Sequence, residues 1–169
     1  HFEEAKKNIL EAMEICKNMN DIGSLGMCHR ALGIMYLDQK KWELSQNHFK
    51  KAIANHKKAE HRAAYEGTIV LLATAYYYEG KYEETKEYID KAVLITSRRK
   101  DVSFYDTTSR AVQMLLQSTI GKCKEKDVDL LAKEIMDSAS EKENNRECFY
   151  ISQIYLMLKK QKKADKFQN

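Results

Sequence analysis

The stretch from Leu32 to Ala52, LGIMYLDQKKWELSQNHFKKA, decides the fold of this chain. It reads as two amphipathic helices joined by a short polar turn, Gln39-Lys40-Lys41. Leu32, Gly33 and Tyr36 share one face of the first helix, at the spacing that about 3.6 residues per turn requires. Trp42, Ser45, Phe49 and Ala52 form the matching face of the second. Gly33 and Ser45 are small, so two helix backbones can approach there. Tyr36 and Phe49 are large and fill the space on either side.

The pattern recurs. Leu72, Ala73 and Tyr76, then Gly80, Tyr82, Thr85, Ile89 and Ala92, repeat it, and Ser45 and Thr85 as equivalent positions give a period of forty residues. One period before Ser45 stands Ala5, followed by Ile9 and Ala12, the second helix of a unit whose first helix is missing. Ile151, Ser152 and Tyr155, with Ala164, restore the twelve-residue spacing of Gly33 to Ser45. This order of small and large residues resembles the tetratricopeptide repeat (TPR), a helix–turn–helix unit of about 34 residues. The longer period implies helices extended by a turn or more. The expected fold is all-α: a TPR-like α-solenoid of antiparallel helix pairs forming a right-handed superhelix. It is a single repeat domain over 1–169, with a half repeat at 1–20 and units at 21–60, 61–100, 101–142 and 143–169.

Composition agrees. The 169 residues include no proline and six glycines, and no sustained period-two alternation suggests strands. Charged residues are 32% of the chain with both signs interspersed, as solvated helix faces require, and a net charge of +4 does not by itself imply nucleic acid. No apolar run reaches the roughly 18 residues of a membrane span, and no signal peptide is visible. Cys16, Cys28, Cys123 and Cys148 form no CxxC pair, and Cys28 beside His29 points about 100° away from it on a helix. They read as half-buried thiols in a reducing compartment, hence a cytoplasmic protein. The chain opens at His1 inside a repeat, so it reads as a piece of a longer protein. It leaves an apolar face at Ala5, Ile9 and Ala12 through which two copies could pair as a homodimer.

Taken in order, the helices are expected over Phe2 to Met19, a segment from Asp21 as N-cap to Asp38, Lys41 to Ala59, His61 to Glu79, Tyr82 to Ser97, Ser103 to Ile120 and Arg146 to Leu158. Gly80 reads as a C′ residue. Gly23 and Gly26 predict either a frayed first turn or a close approach of the neighbouring helix. GKCKEKD at Gly121 to Asp127 is a longer turn, which delays the next helix and gives it a stripe of Val128, Leu131, Ile135 and Met136. Arg98-Arg99-Lys100 reads as a basic helix end that offsets the macrodipole. Asp101 is a second N-cap, Glu141 to Asn145 a polar loop, and Lys162 to Phe167 the start of a last helix.

No catalytic constellation is present. There is no glycine-rich phosphate loop, no HExxH and no GxSxG, the histidines are scattered, and His56 and His61 are five apart, wrong for one helical face. The chain is therefore expected not to be an enzyme and to need no cofactor or metal.

The TPR resemblance implies that first helices line a concave groove. Transferring the groove positions gives Arg30, Ile34, Leu37 and Asp38 in the second unit, and Gly67, Val70, Thr74, Tyr77 and Tyr78 in the third. In the fourth they are Thr107, Arg110, Met114 and Gln117, and in the last Phe149 and Gln153. Tyr77, Tyr78, Met114 and Phe149 can grip apolar side chains. Arg30 and Arg110 can hold a carboxylate in two-point fashion. Gln117, Gln153 and Thr74 can hydrogen-bond a peptide backbone. The competing reading is that the aromatics are interhelix packing. The carboxylate clamp of chaperone-binding TPR proteins does not match, because Arg30, Ile34, Val70 and Thr74 stand where it needs Lys and Asn.

The long repeat, the segment AYYYEGKYEETKEYIDKAV (Ala75 to Val93), the KDVSFY start of the next helix (Lys100 to Tyr105) and the irregular fourth unit resemble the C-terminal region of Rap-type response-regulator phosphatases. They are similar also to the peptide-sensing regulators of Gram-positive bacteria, the Rap/NprR/PlcR group. The resemblance implies a module that binds a short signalling peptide in its concave face and controls an N-terminal effector region. No nucleic acid or membrane contact is expected of this chain. The alternative is a general TPR protein–protein scaffold that binds an extended segment of a partner.

Overall fold

A computed structural model describes residues 2–97, 104–138, 145–160 and 163. Among the described residues there are eight helices and no strand, so the fold is all-α. The helices are α1 (Phe2–Asn18), α2 (Ile22–Asp38), α3 (Trp42–Lys58), α4 (Arg62–Glu79), α5 (Tyr82–Ser97), α6 (Phe104–Thr119), α7 (Glu125–Ser138) and α8 (Asn145–Met157). The chain divides into two compact units, His1–Tyr88 and Ile89–Asn169, with the division inside α5.

In the first unit successive helices pack on one another, α1 on α2, α2 on α3 and α3 on α4. The α2–α3 contact is antiparallel and close. Ser45 donates its hydroxyl hydrogen to the Gly33 carbonyl at 2.8 Å. A methyl group on Gly33 would lie 2.5 Å from the Phe49 ring, so only glycine lets that ring sit flat on the backbone. Gly26, two turns earlier, is covered in the same way by His56, and Gly23 by His61. Close approach, not fraying, is thus the role of both glycines. The core behind this contact joins Leu37, Phe49, Leu71, Leu72, Ala75 and Tyr76, with Ile34, Trp42, Ile53, Tyr78 and Tyr88 packed against it.

Each hairpin of this unit closes identically. Asn20, Lys40, Glu60 and Gly80 have φ of 54°, 60°, 56° and 84°. The next residue's N–H reaches back a full turn, Asp21 to Cys16, Lys41 to Tyr36, His61 to His56 and Lys81 to Tyr76. With the tighter bonds of Asn20 to Lys17, Lys40 to Leu37, Glu60 to Lys57 and Gly80 to Tyr77, these are Schellman caps. The backbone therefore repeats every twenty residues, half the sequence period. Asp21 caps α2 by accepting from the Ser24 N–H at 2.9 Å, as its sequence position predicts.

In the second unit α6 packs on α8 and α7, and α7 on α8. Its interior holds Val112, Leu115, Val128, Leu131, Ile135, Ile151, Ile154 and Tyr155. The Tyr155 hydroxyl donates to Asp129 Oδ1 at 2.7 Å, and Lys163 also reaches that carboxylate at 2.7 Å.

Three sequence expectations change. Helix α7 begins at Glu125, before Val128. Met136 is 58% exposed and not part of the stripe, because it lies about 100° round the helix from buried Ile135; Ala132 fills the inner face instead. Tyr36 is half-buried, set against the His48 ring at 5.4 Å, whereas its counterparts Tyr76 and Tyr155 are buried. Arg98-Arg99-Lys100, Asp101 and most of the 141–145 and 162–167 segments lie outside the described residues.

Candidate binding site

In the first unit, Arg30, Ile34 and Asp38 follow at four-residue steps and so form one row along α2. Asp38 is exposed at the helix end, and Ile34 is half-buried against the core. Arg30 is half-buried, and its Nε is enclosed without a hydrogen-bond partner. Of the α4 candidates, Val70, Thr74 and Tyr77 are buried, Tyr77 being 8% exposed. The Thr74 hydroxyl turns back to the Val70 carbonyl at 2.9 Å. These three side chains fill interior space and present little surface in this structure. Leu37 and Gly67 are likewise buried. The continuous apolar block of α4 made the two roles inseparable in the sequence. Tyr78 remains half-buried and stacks on Trp42 at 5.7 Å with the rings 20° apart.

In the second unit, Thr107, Met114 and Gln153 are half-buried and Gln117 is exposed. Phe149 is 47% exposed and meets Tyr150 edge-on, with centroids 6.2 Å apart. Arg110 is engaged within the protein, its Nη1 donating to Glu134 Oε1 at 2.8 Å. The two arginines that look equivalent in sequence are therefore different. Arg110 already holds a carboxylate, and among the described residues Arg30 does not.

The histidines are the functional candidates that sequence reasoning missed. His29 and His48 bring their Nδ1 atoms to 3.1 Å across α2 and α3. His56 and His61 stack with centroids 6.3 Å apart. The signal was available: a turn down α2 from Gly33 and a turn up α3 from Ser45 lands beside both members of the first pair. Spacing within one helix does not reveal it. Burial, then His48, Lys51 and Lys17, push the His29 imidazole down to about 4. Burial and Lys51 lower His48, and burial, Arg30 and His61 lower His56. All three are neutral imidazoles at neutral pH.

Among the described residues no group of three or more His, Cys, Asp or Glu could hold a metal ion, and no helix is long and apolar enough to cross a membrane. All four cysteines are half-buried and outside any disulfide; burial and the neighbouring Cys16 push the Cys28 thiol up. On α1 the apolar exposure falls on Leu10 and Ile15, and just past its end on Met19, while Ala5 is exposed and Ile9 and Ala12 are half-buried. In comparisons with known proteins, the chain matches no protein-family model and no curated protein.

Proposed function

We propose that the chain is a TPR-like repeat module, its helix pairs wound as a right-handed solenoid, that binds a short extended peptide along the α2 row of Arg30, Ile34 and Asp38. The reading follows the Rap-type resemblance, in which peptide binding in the cytoplasm governs an effector region outside this chain. The observation that supports it best is Arg30. A half-buried guanidinium in line with an apolar and an acidic side chain can meet a ligand's carboxylate and side chains along one helix face.

The burial of Val70, Thr74 and Tyr77 favours the second reading, a protein–protein scaffold, because it removes aromatic and hydrogen-bonding groups from the supposed groove. The experiment that separates the two is selection from a random heptapeptide library, followed by calorimetric titration of the selected peptides into the chain and its Arg30→Ala variant. Micromolar binding that the variant loses supports the peptide module. A folded chain that selects no peptide rules it out in favour of the scaffold.

A further inference from the structure

His29 on α2 and His48 on α3 meet across the helix pair, with their Nδ1 atoms 3.1 Å apart and their ring centroids 5.3 Å apart. On both helices they stand one turn from the Gly33–Ser45 hydrogen bond, so the close approach of the two backbones also sets the separation of the imidazoles. Both rings are half-buried, and solvent reaches this side of the contact. Tyr36 packs on the His48 ring, with centroids 5.4 Å apart, and steadies it.

Two imidazole nitrogens at this distance can do one of two things. One ring donates its Nδ1–H to the lone pair of the other, or both lone pairs turn to a shared cation. The second needs two neutral rings. Burial first, then His48, Lys51 and Lys17, hold His29 down at about 4, and burial and Lys51 lower His48, so neither carries a charge at neutral pH. Metal–imidazole bonds of about 2.0–2.1 Å place neighbouring ligands of one ion roughly 2.9–3.4 Å apart, a span that contains the observed separation. Each ring turns about its Cβ–Cγ bond to aim its lone pair at the shared point. The hydrogen on one Nδ1 moves through solvent to Nε2 of the same ring, so both imidazoles stay neutral.

The surroundings allow a cation. Lys17 is held by Glu14 at 2.6 Å, and Lys51 is exposed, where solvent and salt screen it. Cys28 does not compete, because burial and Cys16 keep its thiol protonated and its side chain diverges from His29 by about 100° on the helix. Among the described residues no further His, Cys, Asp or Glu joins the two histidines to make a metal-holding group of three. The remaining coordination positions therefore fall to water.

We propose that His29 and His48 form a two-imidazole clamp for a divalent late transition-metal ion of the Ni2+ or Zn2+ kind, which imidazole nitrogen suits. The ion joins α2 to α3 and is absent from the unfolded chain as a chelate, so it stabilises the folded state. The inference is independent of the peptide-module reading.

The test is titration of the full chain with Ni2+, its thiols kept reduced, followed by calorimetry and by melting temperature. Saturable binding and a melting temperature that rises with Ni2+ concentration are expected, with no thiolate charge-transfer absorption. His29→Gln and His48→Gln should each weaken binding by about tenfold or more, since each removes one of two ligands. Binding that persists in both variants, that is lost in only one, or that brings thiolate absorption overturns the clamp and points to His1 or the cysteines. No binding at millimolar Ni2+ leaves the pair as a hydrogen bond and overturns it equally. A measurement that needs no variant is titration with diamagnetic Zn2+ while the imidazole nitrogens are followed by NMR. The Nδ1 signals of His29 and His48 should shift together, and either signal remaining in place refutes the site.

Discussion

The hydroxyl of Ser45 donates to the carbonyl of Gly33 across the α2–α3 contact at 2.8 Å, on the glycine that also carries the Phe49 ring. Two residues twelve apart in sequence thereby set how closely the helices approach. Gly33→Ala gains about 1 kcal/mol of helix propensity but forces Phe49 off its seat, an overpacking cost of about 1–3 kcal/mol. A net loss of stability in thermal or urea unfolding is expected, and Phe49→Leu in the Gly33→Ala background should recover part of it. If Gly33→Ala were more stable than the parent, the close contact would not be as described.

Lys40 and Glu60 occupy the left-handed position that Gly80 occupies at the next turn. An L-residue there carries a steric cost of roughly 1–2 kcal/mol that glycine avoids. Lys40→Gly and Glu60→Gly should each raise stability by about 1 kcal/mol. Gly80→Ala should lower it by about the same amount. Nothing lies within 4 Å of the methyl group that Ala would add at Gly80, so backbone conformation alone is tested. Melting temperatures of the three variants check this.

The neutral histidines give the first unit an acid limit. Their folded values are depressed below the ordinary value of about 6.5. The unfolded chain therefore binds more protons as pH falls, and the folded state loses ground. The contribution is complete above pH about 6.5 and is lost progressively toward about 4, the His29 value. Melting temperature should fall between pH 7.5 and 5, a range above the ordinary carboxylate values of about 4. His29→Gln with His48→Gln should flatten the profile. A melting temperature constant across that range in the parent would refute the linkage.

Tyr155 and Asp129 make the comparable test in the second unit. Burial and the Asp129 carboxylate push the Tyr155 hydroxyl well above the usual phenol range, so it remains the donor at neutral pH. Tyr155→Phe keeps the packing and removes a charge-assisted bond, which should cost about 1.5–3 kcal/mol in unfolding experiments. A loss much smaller than that would mean Lys163 alone satisfies Asp129.

Helix order, the hairpin turns and the Gly33–Ser45 face follow from sequence, because small–large alternation at helical spacing and polar turn residues are local signals. The left-handed turns at Lys40 and Glu60 do not, since nothing in a lysine or glutamate announces positive φ; only the need to reverse the chain after each helix imposes it. Phe49, Leu72, Ile89 and Ile151 declare themselves as core by hydropathy alone. What sequence left open is which polar side chains remain available. Arg30 and Arg110 are chemically identical, and so are histidines in different helices. The tertiary structure set Glu134 against Arg110, left Arg30 without a carboxylate among the described residues, and brought four histidines together in two pairs. Those outcomes depend on distances between helices, which no spacing within one helix records.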